Sequence, residues 1–373
     1  MARCPPGASG TTLVSMFVAW RDLRFAKGRF TLMGTVIVLI TLLVGLLSGL
    51  TAGLARENIS AITGLPADRL AFAAPPSGQS VSFTNSTVTE EQWRGWAERP
   101  GVTEADPLGI RTLNAAAGDR TAAVSAFGSE PDAGLAPGSV GAGRAVLSES
   151  AAEELDVRAG DIVRLGPLEV TVSAVSGDAS YSHTPVVWTS LDDWQKLGHS
   201  GTTPQDQATV IALSGDGVDW AAGDKAAGTE ARTPDGALTA IGSYQAENGS
   251  LQLMRGFLFA ISALVIGAFF TVWTIQRSGD VAVLKALGAS TPYLLKDALG
   301  QAVLMLTGGT LLGTALAVGI GALVSGGNVP FVLEPLTVLG PAAVIVVLGV
   351  LGAALSIRRI TAVDPLTALG SAR

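Results

Sequence analysis

The chain has 373 residues, a formal charge of −7, and 15% charged against 48% hydrophobic residues, with a mean hydropathy of +0.44. Soluble domains carry about a quarter charged residues, so this balance points to a membrane protein. The single cysteine, Cys4, and two histidines, His183 and His199, exclude an internal disulfide framework, cysteine-based metal centres and histidine-rich metal sites.

In chain order, residues 1–15 (MARCPPGASGTTLVS) lack the apolar core of a signal peptide and read as a disordered extension, Met16 being the better physical start. Residues 16–29 place Phe17, Trp20 and Leu23 apart from Arg21, Arg24 and Arg29. That pattern suits a short helix lying in the cytoplasmic interface. Residues 30–55 hold 26 positions without a charge, enough for a first span, which needs about 20.

Residues 56–250 are too long and too patterned for a loop. Strand-like alternation occurs at 161–177, 184–190 and 208–215, and amphipathic helix patterns at 89–99, 148–157 and 190–198. Residues 216–240 read as helix or loop. His183, in YSHTP, reads as a surface residue. The stretch is expected to be a mixed α+β domain.

A second span covers 251–276, a third 298–324 and a fourth 336–357, separated by a 277–297 segment and a short 325–335 loop. Basic residues flank the inner ends: Arg277, Lys285 and Lys296 after the second span, Arg358, Arg359 and Arg373 in the 358–373 tail. Residues 56–255 carry 13 basic and 26 acidic residues, whereas the opposite side carries 11 basic and 4 acidic. The positive-inside rule therefore puts both termini in the cytoplasm and the 56–250 domain outside the plasma membrane. The expected fold class is an integral membrane α-helical protein with four transmembrane helices and an extracytoplasmic α+β domain between the first and second.

Within 277–297, GDVAVLKALGAS places Val281, Val283, Leu284 and Leu287 on one side of a short helix. Gly288 supplies a stop and Thr291-Pro292 a new start. Aliphatic side chains exposed in the cytosol form a costly patch unless a partner covers them.

One span, a large domain, then three spans is a topology that resembles the MacB/FtsX-type ABC transporter permeases. The stretch 279–290 is similar to their cytoplasmic coupling segment E-x-A-x-L-R-A-L-G-A-S, with Asp280 near the acidic position and Lys285 in place of arginine. DPLTALG (364–370) resembles the family's closing D-P-x-x-A-L, and 144–175 resembles the outer domain's L-S-x-x-x-A-x-x-L-x-x-x-x-G-D-x-V. Within the family, FVAWRDLRFAKGRFTL and SGLTAGLARENIS are similar to the start of the haem-efflux permeases, with Asp22 replacing a glutamate.

The resemblance implies Asp280, Val283, Leu284, Lys285, Leu287 and Gly288 as the contact with a motor subunit. No G-x-x-x-x-G-K-[ST] loop occurs in the sequence. A non-catalytic permease subunit is therefore expected, served by two copies of a separate cytoplasmic ABC ATPase that binds ATP and Mg. Membrane lipid is the other expected contact; no nucleic acid and no intrinsic cofactor are.

Gly45, Gly49 and Gly53 recur every four residues, each turned about 40° from the last on a helix. Such a strip permits close backbone approach and is expected at a homodimer interface, with packing against the second span as the alternative. Glu57 follows on nearly the same face. Two copies across a two-fold axis would repel unless a cation intervened, and haem iron is the cation that the resemblance implies. Arg56 and Arg255 then suit the propionates, Tyr244 and Met254 the iron or the ring edge, and Phe257 the porphyrin plane. The expected function is ATP-driven export of haem from the membrane. Export of a lipid, lipopeptide or antimicrobial peptide is the nearest alternative, and an FtsX-like mechanotransmitter acting on an extracellular partner is the alternative from another class.

Overall fold

The computed structural model describes residues 27–197, 207–325 and 329–361. The extension at 1–15, most of the interfacial helix at 16–29 and most of the 358–373 tail lie outside the described residues. The chain divides into one unit of residues up to Gly53 with those from Leu251, and a second unit of Leu54–Ser250.

The first half runs α1 (Lys27–Thr63), β1 (Arg69–Ala73), β2 (Val88–Thr89), α2 (Glu90–Ala97), β3 (Val102–Ala117), β4 (Arg120–Ser129), β5 (Arg144–Leu147) and α3 (Glu149–Leu155). Then come β6 (Ile162–Leu165), β7 (Leu168–Val175), β8 (Ser180–Tyr181), β9 (Thr184–Ser190), α4 (Leu191–Leu197), β10 (Gln207–Ala208) and β11 (Val210–Gly215). The rest is α5 (Trp220–Ala227), β12 (Thr229–Arg232), α6 (Pro234–Ala237), α7 (Tyr244–Gln276), α8 (Ser278–Ala286), α9 (Thr291–Val324) and α10 (Pro335–Thr361).

Four of these helices, α1, α7, α9 and α10, are long and apolar enough to cross a membrane. The protein is an integral membrane protein with four candidate spans. In this unit small residues set the packing. A Cβ at Gly309 would come 2.7 Å from Ile37, and one at Gly313 2.7 Å from Thr41. Glycines on α9 thus receive branched side chains of α1, the close approach that lets membrane helices gain dispersion energy. Phe270, Trp273 and Leu306 complete this core.

The inserted unit is a mixed sheet with flanking helices. Its strand order is β12-β1-β11-β3-β4-β9-β5-β7-β6, and β6 also pairs with β3. The six strands from β3 to β6 therefore close into a ring, while β11, β1 and β12 extend from the other half of β3's edge. The strand at 161–177 is a hairpin, β6 and β7, and 216–240 holds a helix, an edge strand and a short helical turn. Alternation along the strands sorts the cores. On β9, Val187 faces one core with Leu147 and Val163, while Val186 and Trp188 face another with Phe72, Phe127 and Tyr181. A third core gathers Trp93, Trp96 and Trp194 beneath α2 and α4.

Asp106 sits within β3, opposite Ala212 of β11. Burial, reinforced by Glu104 and Glu130, raises its pKa to about 6 from an ordinary value of 3.8. The folded state thus holds this proton more tightly than the unfolded chain, so the associated stability is full below 3.8 and is lost as pH rises through about 6. Thermal unfolding of the inserted unit should accordingly fall in temperature between pH 5 and pH 7. Asp106→Asn should flatten that slope, and an unchanged slope in the variant would refute this reading of Asp106.

Candidate functional site

Helix α1 continues beyond its apolar run to Thr63, so Glu57 and Asn58 belong to the inserted unit. Against them lies the turn joining β8 to β9. Tyr181 pairs with Thr184, leaving a two-residue loop of Ser182 (φ 50) and His183 (φ 63). Both residues are in the left-handed region, as in the type I′ turns that match the twist of a hairpin. Neither is glycine or asparagine, so the conformation costs about 1–2 kcal/mol per residue. Two hydrogen bonds to α1 offset this. The Ser182 N–H donates to the Asn58 carbonyl at 3.0 Å and the His183 N–H to the Glu57 carbonyl at 3.2 Å.

The turn presents the His183 ring to two carboxylates. Its Nε2 is 2.8 Å from Glu247 Oε2, and its Nδ1 is 3.8 Å from Glu57 Oε2. Asn58, buried at 1% exposure, donates from Nδ2 to the same Glu247 oxygen at 2.7 Å and to Ser243 Oγ at 3.4 Å. Its carbonyl Oδ1 is buried without a hydrogen-bond partner among the described residues. One imidazole therefore links the first helix of the unit to the last. The Glu57 charge also reaches α3. Burial first, then Glu57 and Glu153, holds the Glu154 carboxyl above the ordinary range.

Glu57 itself is half-exposed, leaving its carboxylate open to a further ligand. Arg56 is exposed on the same helix. Tyr244 opens α7 and packs against the Phe72–Tyr181 core, so its ring is a packing residue here. Met254 and Phe257 are exposed on α7, in the other unit. Arg255, expected for a propionate, donates from Nη2 to Thr51 Oγ1 at 3.3 Å.

His183 is exposed, as the sequence suggested, but its pairing with Glu57 and Glu247 was not foreseen. Its partners are distant in sequence, and a Ser-His loop carries none of the usual turn residues. The short strand-like runs on either side were the one available signal. Among the described residues no group of three or more histidines, cysteines or carboxylates is arranged to hold a bare metal ion.

The glycine strip requires a correction. A Cβ at Gly45 would lie 2.8 Å from the Ala317 Cβ on α9, one at Gly49 would enter the Phe331 ring, and one at Gly53 would overlap the Pro330 carbonyl. The Val332 N–H also donates to the Gly49 carbonyl at 3.2 Å. The strip is filled by the chain's own third span and the segment before its fourth, rather than by a second copy or by α7. Close approach was correctly read from the spacing, but spacing does not name the partner.

Helix α8 carries Asp280, Val283, Leu284 and Lys285. Leu287, just beyond it, is 79% exposed, and Val283 and Leu284 are exposed too. Gly288 follows at φ 95, and α9 starts with a proline in its first turn. The stop and restart are those expected from sequence.

Comparison with known proteins agrees with this architecture. Residues 30–230 match the MacB-like periplasmic core domain, and residues 253–365 match the FtsX-like permease C-terminal domain. A Staphylococcus haemolyticus protein provisionally named hemin transport system permease protein HrtB is 28% identical, covering 95% of this chain and 99% of its own. An uncharacterized ABC transporter permease of Mycobacterium bovis is 24% identical over the same shares. The extracellular domain of the ABC-type transporter YknZ from Gram-positive bacteria aligns with 44% of this chain and 97% of its own, at 15% identity and a TM-score of 0.33.

Proposed function

The chain belongs to the MacB/FtsX-type permeases of ABC transporters, and we propose that it exports haem from the membrane. The observation that carries this reading is the half-exposed Glu57 carboxylate beside the His183 ring. Carboxylate and imidazole oxygen and nitrogen atoms are ligands for ferric iron, and a half-open site at the end of a span suits a ligand that partitions into lipid. The relative named for hemin transport supports the same choice.

In this reading the inserted unit lies outside the plasma membrane, both termini lie in the cytoplasm, and the permease works as a homodimer. The asymmetry of basic residues supports the orientation. Two copies of a separate ATPase bind ATP and Mg, and α8 takes up their motion. Closure of the motors shifts the permease between states that admit haem from the outer leaflet and states that release it. Glu57 receives the iron, with His183 as a second candidate ligand freed when it leaves Glu247.

Haemin titrated into the detergent-solubilised chain should give a saturable Soret shift. Glu57→Ala should weaken that binding at least tenfold, and His183→Ala should change the position of the band. A wild-type protein without a Soret shift would remove haem as the substrate and leave a lipid or peptide export reading. Unchanged binding by Glu57→Ala would remove only its ligand role.

A further inference from the structure

Apart from the Glu57 site, the inserted unit holds a cavity of about 440 Å3, within the size range of small-molecule sites. It lies at a gap in the sheet. One edge of β3 pairs with β4 from Leu108 to Ala117, and the other pairs with β11 up to Leu108 and with β6 from Ala115. Between these points β3 has no strand neighbour on that edge. Only the Thr209 hydroxyl substitutes for one, accepting from the Ile110 N–H at 2.8 Å and donating to its carbonyl at 3.3 Å.

The walls are of two kinds. Phe83, Ile110, Tyr181 and the Trp194 ring supply apolar surface, and Arg111 and Gln207 supply donors. No aspartate or glutamate lines the cavity among the described residues, although residues 56–255 hold twice as many acidic as basic side chains. The Arg111 guanidinium lies 5.1 Å over the Trp194 ring, and burial lowers its pKa from the ordinary arginine value. No carboxylate comes within ion-pair distance of it among the described residues. Trp194 is buried at 6% exposure, and its indole N–H has no acceptor among the described residues. The ring is held in place from below, since a Cβ at either Gly109 or Gly128 would run into it.

A half-buried guanidinium with no carboxylate partner, stacked on an indole whose own N–H lacks an acceptor, is a costly arrangement. The guanidinium lines a cavity that also has an apolar wall. We infer that this cavity is a binding site for a small carboxylate with an apolar portion. The carboxylate lies across the Arg111 fork, where a planar guanidinium gives two parallel hydrogen bonds, and within reach of the Gln207 side chain. The apolar portion lies against Phe83 and Tyr181. A single arginine between apolar walls suits a carboxylate better than a phosphate, which recruits several cations. The inference stands apart from the haem reading and does not depend on it.

Two sources share this chemistry: a free organic acid, and the C-terminal carboxylate of a short peptide, which could also pair with the open edge of β3. Calorimetric titration of the full chain in detergent tests both, with hexanoate against hexanamide and N-acetyl-alanyl-alanine against its C-terminal amide. At least one acid should bind saturably and at least tenfold more tightly than its amide. A preference for hexanoate identifies the free acid, and one for the peptide identifies the C-terminus. Arg111→Gln should bring acid and amide to the same affinity. Arg111→Lys, which keeps the charge should the first variant fail to fold, should bind the acid about tenfold more weakly. Absence of binding by both acids, equal binding of acid and amide, or full affinity in a folded Arg111 variant would overturn the inference.

Discussion

Gly53→Ala is expected to destabilise the membrane unit by about 3 kcal/mol, the upper end of the usual cost of overpacking. The added methyl would meet backbone, the Pro330 carbonyl and, at 2.9 Å, the Phe331 nitrogen, and the next residue ties that segment to the helix, the Val332 N–H donating to the Gly49 carbonyl. Alanine's better helix propensity returns only about 1 kcal/mol, so the clash decides the sign. Gly49→Ala should cost less, because the Phe331 ring can rotate. Gly45→Ala, facing a single methyl of Ala317, should cost least. Thermal unfolding of the three variants in detergent gives the order. Were the strip an interface between copies, all three would lower the oligomer's mass at equal monomer stability, and that result would refute the intrachain packing.

Replacing both Leu284 and Leu287 with aspartate is expected to reduce ATP-driven export more than tenfold while leaving thermal unfolding within about 0.5 kcal/mol, as for other surface changes. Both side chains are exposed, so the isolated chain loses little when they become polar. A motor subunit that seats on them would instead face two desolvated carboxylates, a far larger cost. Proteoliposomes carrying the permease and its ATPase, assayed for export and for co-purification of the two chains, provide the check. Normal export by the double variant would show that α8 does not transmit the motor's movement.

Much of the architecture was legible in the sequence because its signals are local. The four spans declare themselves as uncharged runs, and TPVVWTS becomes β9 with the alternation it displays. The helix opened by Ser148 forms as its cap predicts, the hydroxyl accepting from the Ala151 N–H at 3.3 Å. The β3–β4 hairpin was not legible. Pro107, Gly109 and a run of alanines argue against a strand, yet this hairpin organises the whole unit. Gly109 is there because Trp194 needs the space of its missing side chain, a demand made by a residue far along the chain. The cluster around Glu57 shows the same division. Glu57 could be singled out from its place at the end of a span, whereas His183 and Glu247 join it only through the fold.

The hydrogen bond from Asn58 to Glu247 joins residues 189 positions apart in sequence, one from the inserted unit's opening helix and one from its closing helix. Where the two ends of an insertion meet, closing it costs the host chain little more entropy than a tight hairpin would, because the penalty follows the free length of chain between the joined points. The whole folded unit then counts as a few residues of linker.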